Sequence, residues 1–452
     1  MSIESEGRHL RAPPARRLGL ALSLVMLTGL VLAIRLPSAA ASVLTFQVNS
    51  TADAPDASPG DGLCADAIER CTLRAAVQEA DAQPSGSSIT ILLPARRFPL
   101  TLGALLLTTN TVAIRAATQL PTVVDGRNAD RVFDVSADAT VALDQLMIVN
   151  GNSGLGGGIR NAGTLSIRNG IVSNNVASVG GGIYNLDSGT LTLERSVVSG
   201  NKAGGNGGGI ANAGGTLQVT LSRVVANKTT RAGGGIVNLF GSTSISRTTI
   251  AGNASAGPSS QGGAGIANGS GTLSVDRSTI SGNTTNSTNG GSAILNILSA
   301  SVSNTTINGN TAPDGSGALV NSDTMTLSYD TIASNSFAIV NAANLTATGT
   351  IIANSTEGDN CFGNPIQEPE GFNLDSGHSC GLALPTDLTN TDPMLAGPAD
   401  NGGPTETQAL RPGSPAIDHG GTSANGCPAT DQRGVPRPQG AACDIGAFEL
   451  VS

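Results

Sequence analysis

The sequence predicts an all-β parallel solenoid, a single-stranded β-helix, from three observations. A six-residue phrase recurs, as GGGIRN from Gly156, GGGIYN from Gly180, GGGIAN from Gly207, GGGIVN from Gly233 and GAGIAN from Gly263. Each is followed by a second phrase of constant length, and these align without gaps from TLSIRNGIVSNN to TMTLSYDTIASN. Inside both phrases apolar residues alternate with polar ones in short pieces, the period of β-strands, and no piece has helical spacing.

The columns are strict. The isoleucine of the first phrase falls at Ile159, Ile183, Ile210, Ile236 and Ile266, then at Ile294, Leu319 and Ile339, about 26 residues apart. Two positions later stands Asn161, Asn185, Asn212, Asn238, Asn268, Asn296, Asn321 or Asn341. The second phrase ends on Asn175, Asn201, Asn227, Asn253, Asn283, Asn310 and Asn335. A unit of this size, with three short strands and constant apolar columns, describes one coil of a solenoid. A lone coil buries only a handful of aliphatic side chains, at about 1.5–3 kcal/mol each. Ordering its backbone costs about 1–2 kcal/mol per residue, so coils persist only when stacked. The glycines then mark sharp bends rather than a phosphate loop, which would occur once and open a helix. Asparagine is expected at the same corners, tolerating the left-handed conformation.

The ends differ from the repeats. Residues 1–41 predict an export signal: Arg8, Arg11, Arg16 and Arg17, then LGLALSLVMLTGLVLAI, then small residues up to Ala41. Residues 42–137 predict an N-terminal cap and irregular first coils. There, Cys71 to Pro84 holds one amphipathic helix, with Leu73, Ala76, Val77 and Ala80 on one face and Thr72 as N-cap. Regular repeats occupy 138–356, and 357–452 is a Cys- and Pro-rich stretch expected to form a compact C-terminal cap. Six cysteines, Cys64, Cys71, Cys361, Cys380, Cys427 and Cys443, fall as three local pairs. In an exported chain they predict disulfides, with fifteen pairings formally open.

Two segments resemble a known family. The C-x6-C-TLRAAVQEAD stretch across 64–81 resembles the CSLREA motif of secreted bacterial β-helix proteins, with Thr72 and Ala75 where that motif has Ser and Glu. The phrases NTDPML, DNGGPT, PGSPAID, DQRGVPRP and CDIGAFE, between Asn390 and Glu449, resemble the choice-of-anchor module that ends such chains. The resemblance implies a right-handed, pectate-lyase-like parallel β-helix in a secreted or cell-surface protein. It brings no catalytic residues.

Composition narrows the function. The chain has 452 residues, a net charge of −9 and only two lysines, Lys202 and Lys228, which argues against nucleic acid or an anionic membrane as partner. Acids are sparse in the repeats: Asp187, Glu194, Asp276, Asp314, Asp323 and Asp330. Hydrolysis of a glycosidic bond needs two facing carboxylates, and only Glu194 and Asp276 share a column. Arg195, Arg247 and Arg277 share another, a candidate strip for an acidic ligand. In the tail, Asp418, Asp431, Asp444 and Glu449 lie near Arg433 and His419, a set that suits either calcium or a hydrogen-bonded cap. The expectation is an exported, non-enzymatic scaffold or adhesin-like monomer without cofactor. It meets an extracellular glycan or another surface protein and has no membrane span once the leader is gone. The alternative is a carbohydrate-active β-helix enzyme.

Overall fold

A computed structural model describes residues 43–257 and 262–451. The predicted export signal lies outside these residues. Four parallel sheets run along a stack of coils. Sheet I has 13 strands, from Leu44–Gln47 to Gln367–Gly371, and sheet II has 13, from Arg97–Pro99 to Leu388–Thr389. Sheet III has six short strands, from Asn152–Leu155 to Thr284–Thr285, and sheet IV has 11, from Leu105–Leu107 to Cys361–Gly363. One coil visits them in turn: Thr190–Glu194, Val197–Ser199, Lys202–Ala203, then Ile210–Asn212. The central coils therefore carry four strands, one more than the sequence pattern predicts. The extra pieces, of two to four residues, are too short for alternation to show.

Like residues sit over like. Ile159, Ile183, Ile210 and Ile236 pair in succession in sheet IV, and the column continues through Ile266, Ile294, Leu319 and Ile339. Sheet II contributes Val172, Val198, Val224, Ile250 and Ile280 in the same way. Sheet I contributes pairs such as Leu191 and Leu193, and all merge in one continuous core. Register in sheet I is unbroken from Leu44 through Thr346 and shifts only at the last strand.

The GGG turn is forced by that stacking. Gly180 has φ +66°, and a Cβ there would stand 2.6 Å from the Ile183 carbonyl oxygen. A Cβ on Gly181 would collide with the Gly208 oxygen of the next coil.

The asparagines correct an expectation. Neither column adopts the left-handed conformation; that falls one residue before the second column, at Asn174, Gly200, Ala226, Gly252, Gly282, Gly309 and Ser334. The side chains instead form two buried ladders. Asn185 Nδ2 donates to Asn212 Oδ1 at 2.8 Å, Asn212 to Asn238 at 2.9 Å, and so on to Asn341. The second ladder runs from Asn175 to Asn335 at 2.9–3.0 Å, and each Nδ2 also reaches a backbone carbonyl. A carboxamide carries donor and acceptor on one short side chain, so it satisfies buried backbone on one coil and its own copy on the next. The first ladder ends where Val135 replaces asparagine, leaving Asn161 Oδ1 unpaired.

A third ladder escaped the sequence reading. Ser196, Ser222, Thr248, Ser278 and Thr305 accept the backbone N–H of the corresponding residue one coil before. Asp330 takes the next rung, accepting from Thr305 N at 2.8 Å. It is fully buried, which pushes its carboxyl well above the ordinary range.

The ends are closed differently. The helix Leu73–Ala82 lays its apolar face on the first coils, with Thr72 Oγ1 accepting from Ala75 N at 3.0 Å. Arg74 holds it, bonded to Asp53 at 2.6 Å and to the Gly103 and Ala104 carbonyls. The free edge of sheet III is blocked by Arg131, which bonds the Leu155 and Gly156 carbonyls.

The C-terminal tail does not close the stack as a cap. The coils continue through Leu388–Thr389, and the chain then turns back along the outer face of sheet II. A second hydrophobic cluster joins Ala333, Ile351 and Ala353 on that face to Leu410, Ala416, Ile445 and Phe448 of the tail. The outward column of sheet II permits this contact, because it changes from Val197 and Arg223 to Thr249, Thr279, Thr306, Thr331 and Ile351. Disulfides join Cys64–Cys71, Cys361–Cys380 and Cys427–Cys443, the last within the tail.

Candidate functional site

A seam runs where the tail meets the coils. The corner between sheets I and II supplies one wall. There the backbone is left-handed in eight successive coils, with φ between +46° and +59° at Asn169, Arg195, Leu221, Arg247, Arg277, Asn304, Tyr329 and Gly349. Asn and Gly accept this conformation readily, whereas other L-residues pay about 1–2 kcal/mol. Long side chains at five of these corners therefore call for a reason.

For most of them a partner is visible. Tyr329 donates from its hydroxyl to the Gly420 carbonyl, lies 5.0 Å from the Arg437 guanidinium, and its hydroxyl is pushed up to about 12 by burial. Arg277 bonds Asp276 at 2.7 Å, and its carbonyl faces Thr405 Oγ1. Arg195 pairs with Glu194, which Arg168 also approaches at 3.3 Å. Leu221 floors the seam. Arg247 is exposed and makes no side-chain hydrogen bond or ion pair with the described residues.

Two grooves meet at Leu221. The narrower, about 220 Å³, is lined by Arg247, Arg277, Pro404, Gln432, Arg433 and Gly434. The wider, about 490 Å³, contains Arg223, Thr249, Ser281, Asp400, Pro404 and Glu406. Arg223 is also exposed and without a side-chain partner among the described residues. The walls are fixed by Gln432, whose Nε2 donates to Thr279 Oγ1 at 3.0 Å and Thr405 Oγ1 at 2.9 Å. Arg433 is held by Asp431 at 2.8 Å and lies 3.6 Å over the Phe448 ring.

Of the predicted strip, Arg247 and Arg277 are thus brought together while Arg195 lies outside the seam. Arg223 and the tail's contribution were missed. Arg223 did leave one trace, interrupting an outward column that otherwise reads Ile171, Val197, Thr249.

The tail acids serve the fold. Glu449 accepts from Gln439 N at 2.7 Å and Asp444 N at 2.9 Å; Asp444 accepts from Asp418 N and Leu450 N. Burial pushes both carboxyls up, while the buried Arg437 guanidinium is pushed down, donating to the Asp444 and Gly446 carbonyls. Asp418 is bonded to Ala442 N, and His419 is exposed beside the Ile417 carbonyl. Among the described residues, no group of three or more His, Cys, Asp or Glu is placed to hold a metal ion. In the repeats Asp276 is bound by Arg277 and Ser303, Asp330 is enclosed in its ladder, and Asp187 and Asp314 stand on exposed turns. Among the described residues, no helix is long and apolar enough to cross a membrane.

The sequence matches no protein-family model and no curated protein. Among solved structures, the chain is similar to the crystal structure of pectate lyase Pel9A, with a TM-score of 0.47 and 13% identity over 90% of this chain and 98% of that one.

Proposed function

We propose that the chain is an exported, non-enzymatic β-helical scaffold with adhesin-like binding, and that its seam takes a carboxylated or sulfated extracellular glycan. The observation that carries this is Arg247. It keeps a costly backbone conformation, without a partner among the described residues, in a groove that shares the apolar surfaces of Leu221 and Pro404 with the adjoining groove holding Arg223. A guanidinium so placed in a chain of net charge −9 is a local anion site. The structural use of Asp330, Asp431, Asp444 and Glu449 supports a binding rather than a catalytic role. The CSLREA-like segment at 64–81 and the choice-of-anchor-like tail at 390–449 fit a bacterial protein freed from its leader near Ala41 and delivered to the surface. Parallel strand connections of this kind are right-handed in nearly all cases.

Binding of the full chain to an array of acidic and neutral glycans tests the reading. Acidic glycans should be retained, and Arg247→Glu combined with Arg223→Glu should abolish retention without changing the circular dichroism spectrum. Equal binding by that variant would overturn the reading. One observation favours a carbohydrate-active enzyme: a carboxylate, Glu406, and a guanidinium, Arg223, line the same wider groove. Release of unsaturated products from uronate polysaccharides, followed by absorbance, would establish that instead.

A further inference from the structure

Sheet I turns a second kind of surface to solvent. Its first outward column is threonine or serine in ten successive strands, from Ser88 to Thr324. The second outward column, two residues along each strand, is hydroxyl-bearing from Ser166 to Thr346, except at Gln218. Pairs such as Thr190 with Thr192, Thr272 with Ser274 and Thr324 with Thr326 therefore stand side by side on stacked strands. Neither column contains a charged residue over those ranges. The other outward columns do carry charge: Asp144, Arg168, Glu194 and Asp276 in the third column of sheet I, Arg223 on sheet II, Lys202 on sheet III and Arg160 on sheet IV.

Columns selected for solubility alone would hold mixed charges, as the third column of the same sheet does. These two columns hold hydroxyls at two fixed spacings, about 4.8 Å between strands and about 6.7 Å along them. The spacings are rigid because the unbroken register sets the first, the pleat sets the second, and β-branching restricts the threonine rotamers. Among the described residues the first-column hydroxyls are unpartnered except Thr324, which bonds Asp323 at 3.3 Å. An uncharged two-dimensional lattice of donors and acceptors, interleaved with methyl groups, complements a partner that is itself an uncharged lattice of donors and acceptors. Water oxygens in ice form a lattice of this kind, with repeats of comparable length. A polysaccharide crystal would call for aromatic rings to stack sugars, and neither column has one.

We propose that these two columns of sheet I bind ice, an activity that rests on coil stacking alone and is independent of the seam. The test is partition of the fluorescently labelled full chain into a slowly grown ice hemisphere, with recrystallisation inhibition measured in parallel. The intact chain should be enriched in ice. Thr190→Lys with Thr216→Lys should abolish enrichment, while Ser178→Lys, on the outward face of sheet III, should keep it. If the lysine pair fails to fold by circular dichroism, Thr190→Val with Thr216→Val decides, since it keeps shape and removes hydroxyls; it must lower the retained fraction. Exclusion of the intact chain from ice, or retention unchanged by the face substitutions, overturns the proposal. So does binding to crystalline cellulose or chitin without retention in ice.

Discussion

Thr306 Oγ1 donates a 2.6 Å hydrogen bond to Gln432 Oε1, 126 positions along the chain. Both side chains are buried, and the same glutamine bonds Thr279 and Thr405 through its nitrogen. One amide thus fastens the returning tail to two successive coils, which makes the tail a brace on the flank.

Gln432→Ala should cost about 1–3 kcal/mol, the penalty for leaving buried hydroxyls without partners. Chemical denaturation measures it. Limited proteolysis should cut the variant's tail before its coils, because the amide's hydrogen bonds to Thr279 and Thr306 tie one to the other and leave each coil's own ladder intact.

The asparagine ladder should be weaker at its end than in its middle. Asn238→Ala strips the acceptor from Asn212 and the donor from Asn268, so it should cost about 1–3 kcal/mol on each side. Asn161→Ala loses the same kind of backbone-carbonyl contacts as Asn238→Ala but breaks one ladder bond instead of two, the one to Asn185, and should cost less. Equal losses in urea titrations would argue against a ladder in which each rung serves two coils.

Asp330 sets a pH dependence. Its folded carboxyl holds a proton more tightly than the unfolded one, so its contribution is present below the ordinary carboxylate range and is lost as pH rises above it. Asp330→Thr restores the hydroxyl found in neighbouring coils, able to accept from Thr305 N. Its Tm should exceed that of the parent at pH 8, and the gap should narrow toward pH 4.

Arg247→Gly should stabilise the chain slightly, by about 0.5–1 kcal/mol, as relief of the left-handed strain outweighs the added backbone freedom. The same variant should lose acidic-glycan retention. A stability gain together with a binding loss would identify a residue kept for its ligand.

How much of this the sequence discloses depends on how local the signal is. The Ile183 column and the Asn185 ladder are legible because each coil repeats them at nearly constant spacing. The helix at Leu73–Ala82 is legible from its face and cap. The Ser196 to Thr305 ladder is not, since serine and threonine are as common at exposed positions as at buried ones. The brace leaves no periodic trace either. Tyr329 finds Gly420 across 91 residues and Gln432 finds Thr279 across 153, contacts that no pattern within a repeat announces. Consequently Arg247 and Arg277 could be proposed as a strip, but the seam that gathers them with Arg433 emerges only when the tail is placed.

The most direct test of the stacked fold is a distance. Spin labels introduced by Thr164→Cys and Thr324→Cys occupy one outward column, six steps apart. Pulsed dipolar spectroscopy should give a narrow distribution centred at about 29 Å, six times the inter-strand spacing. A broad distribution, or a mean far from that value, would contradict a stack of coils in continuous register.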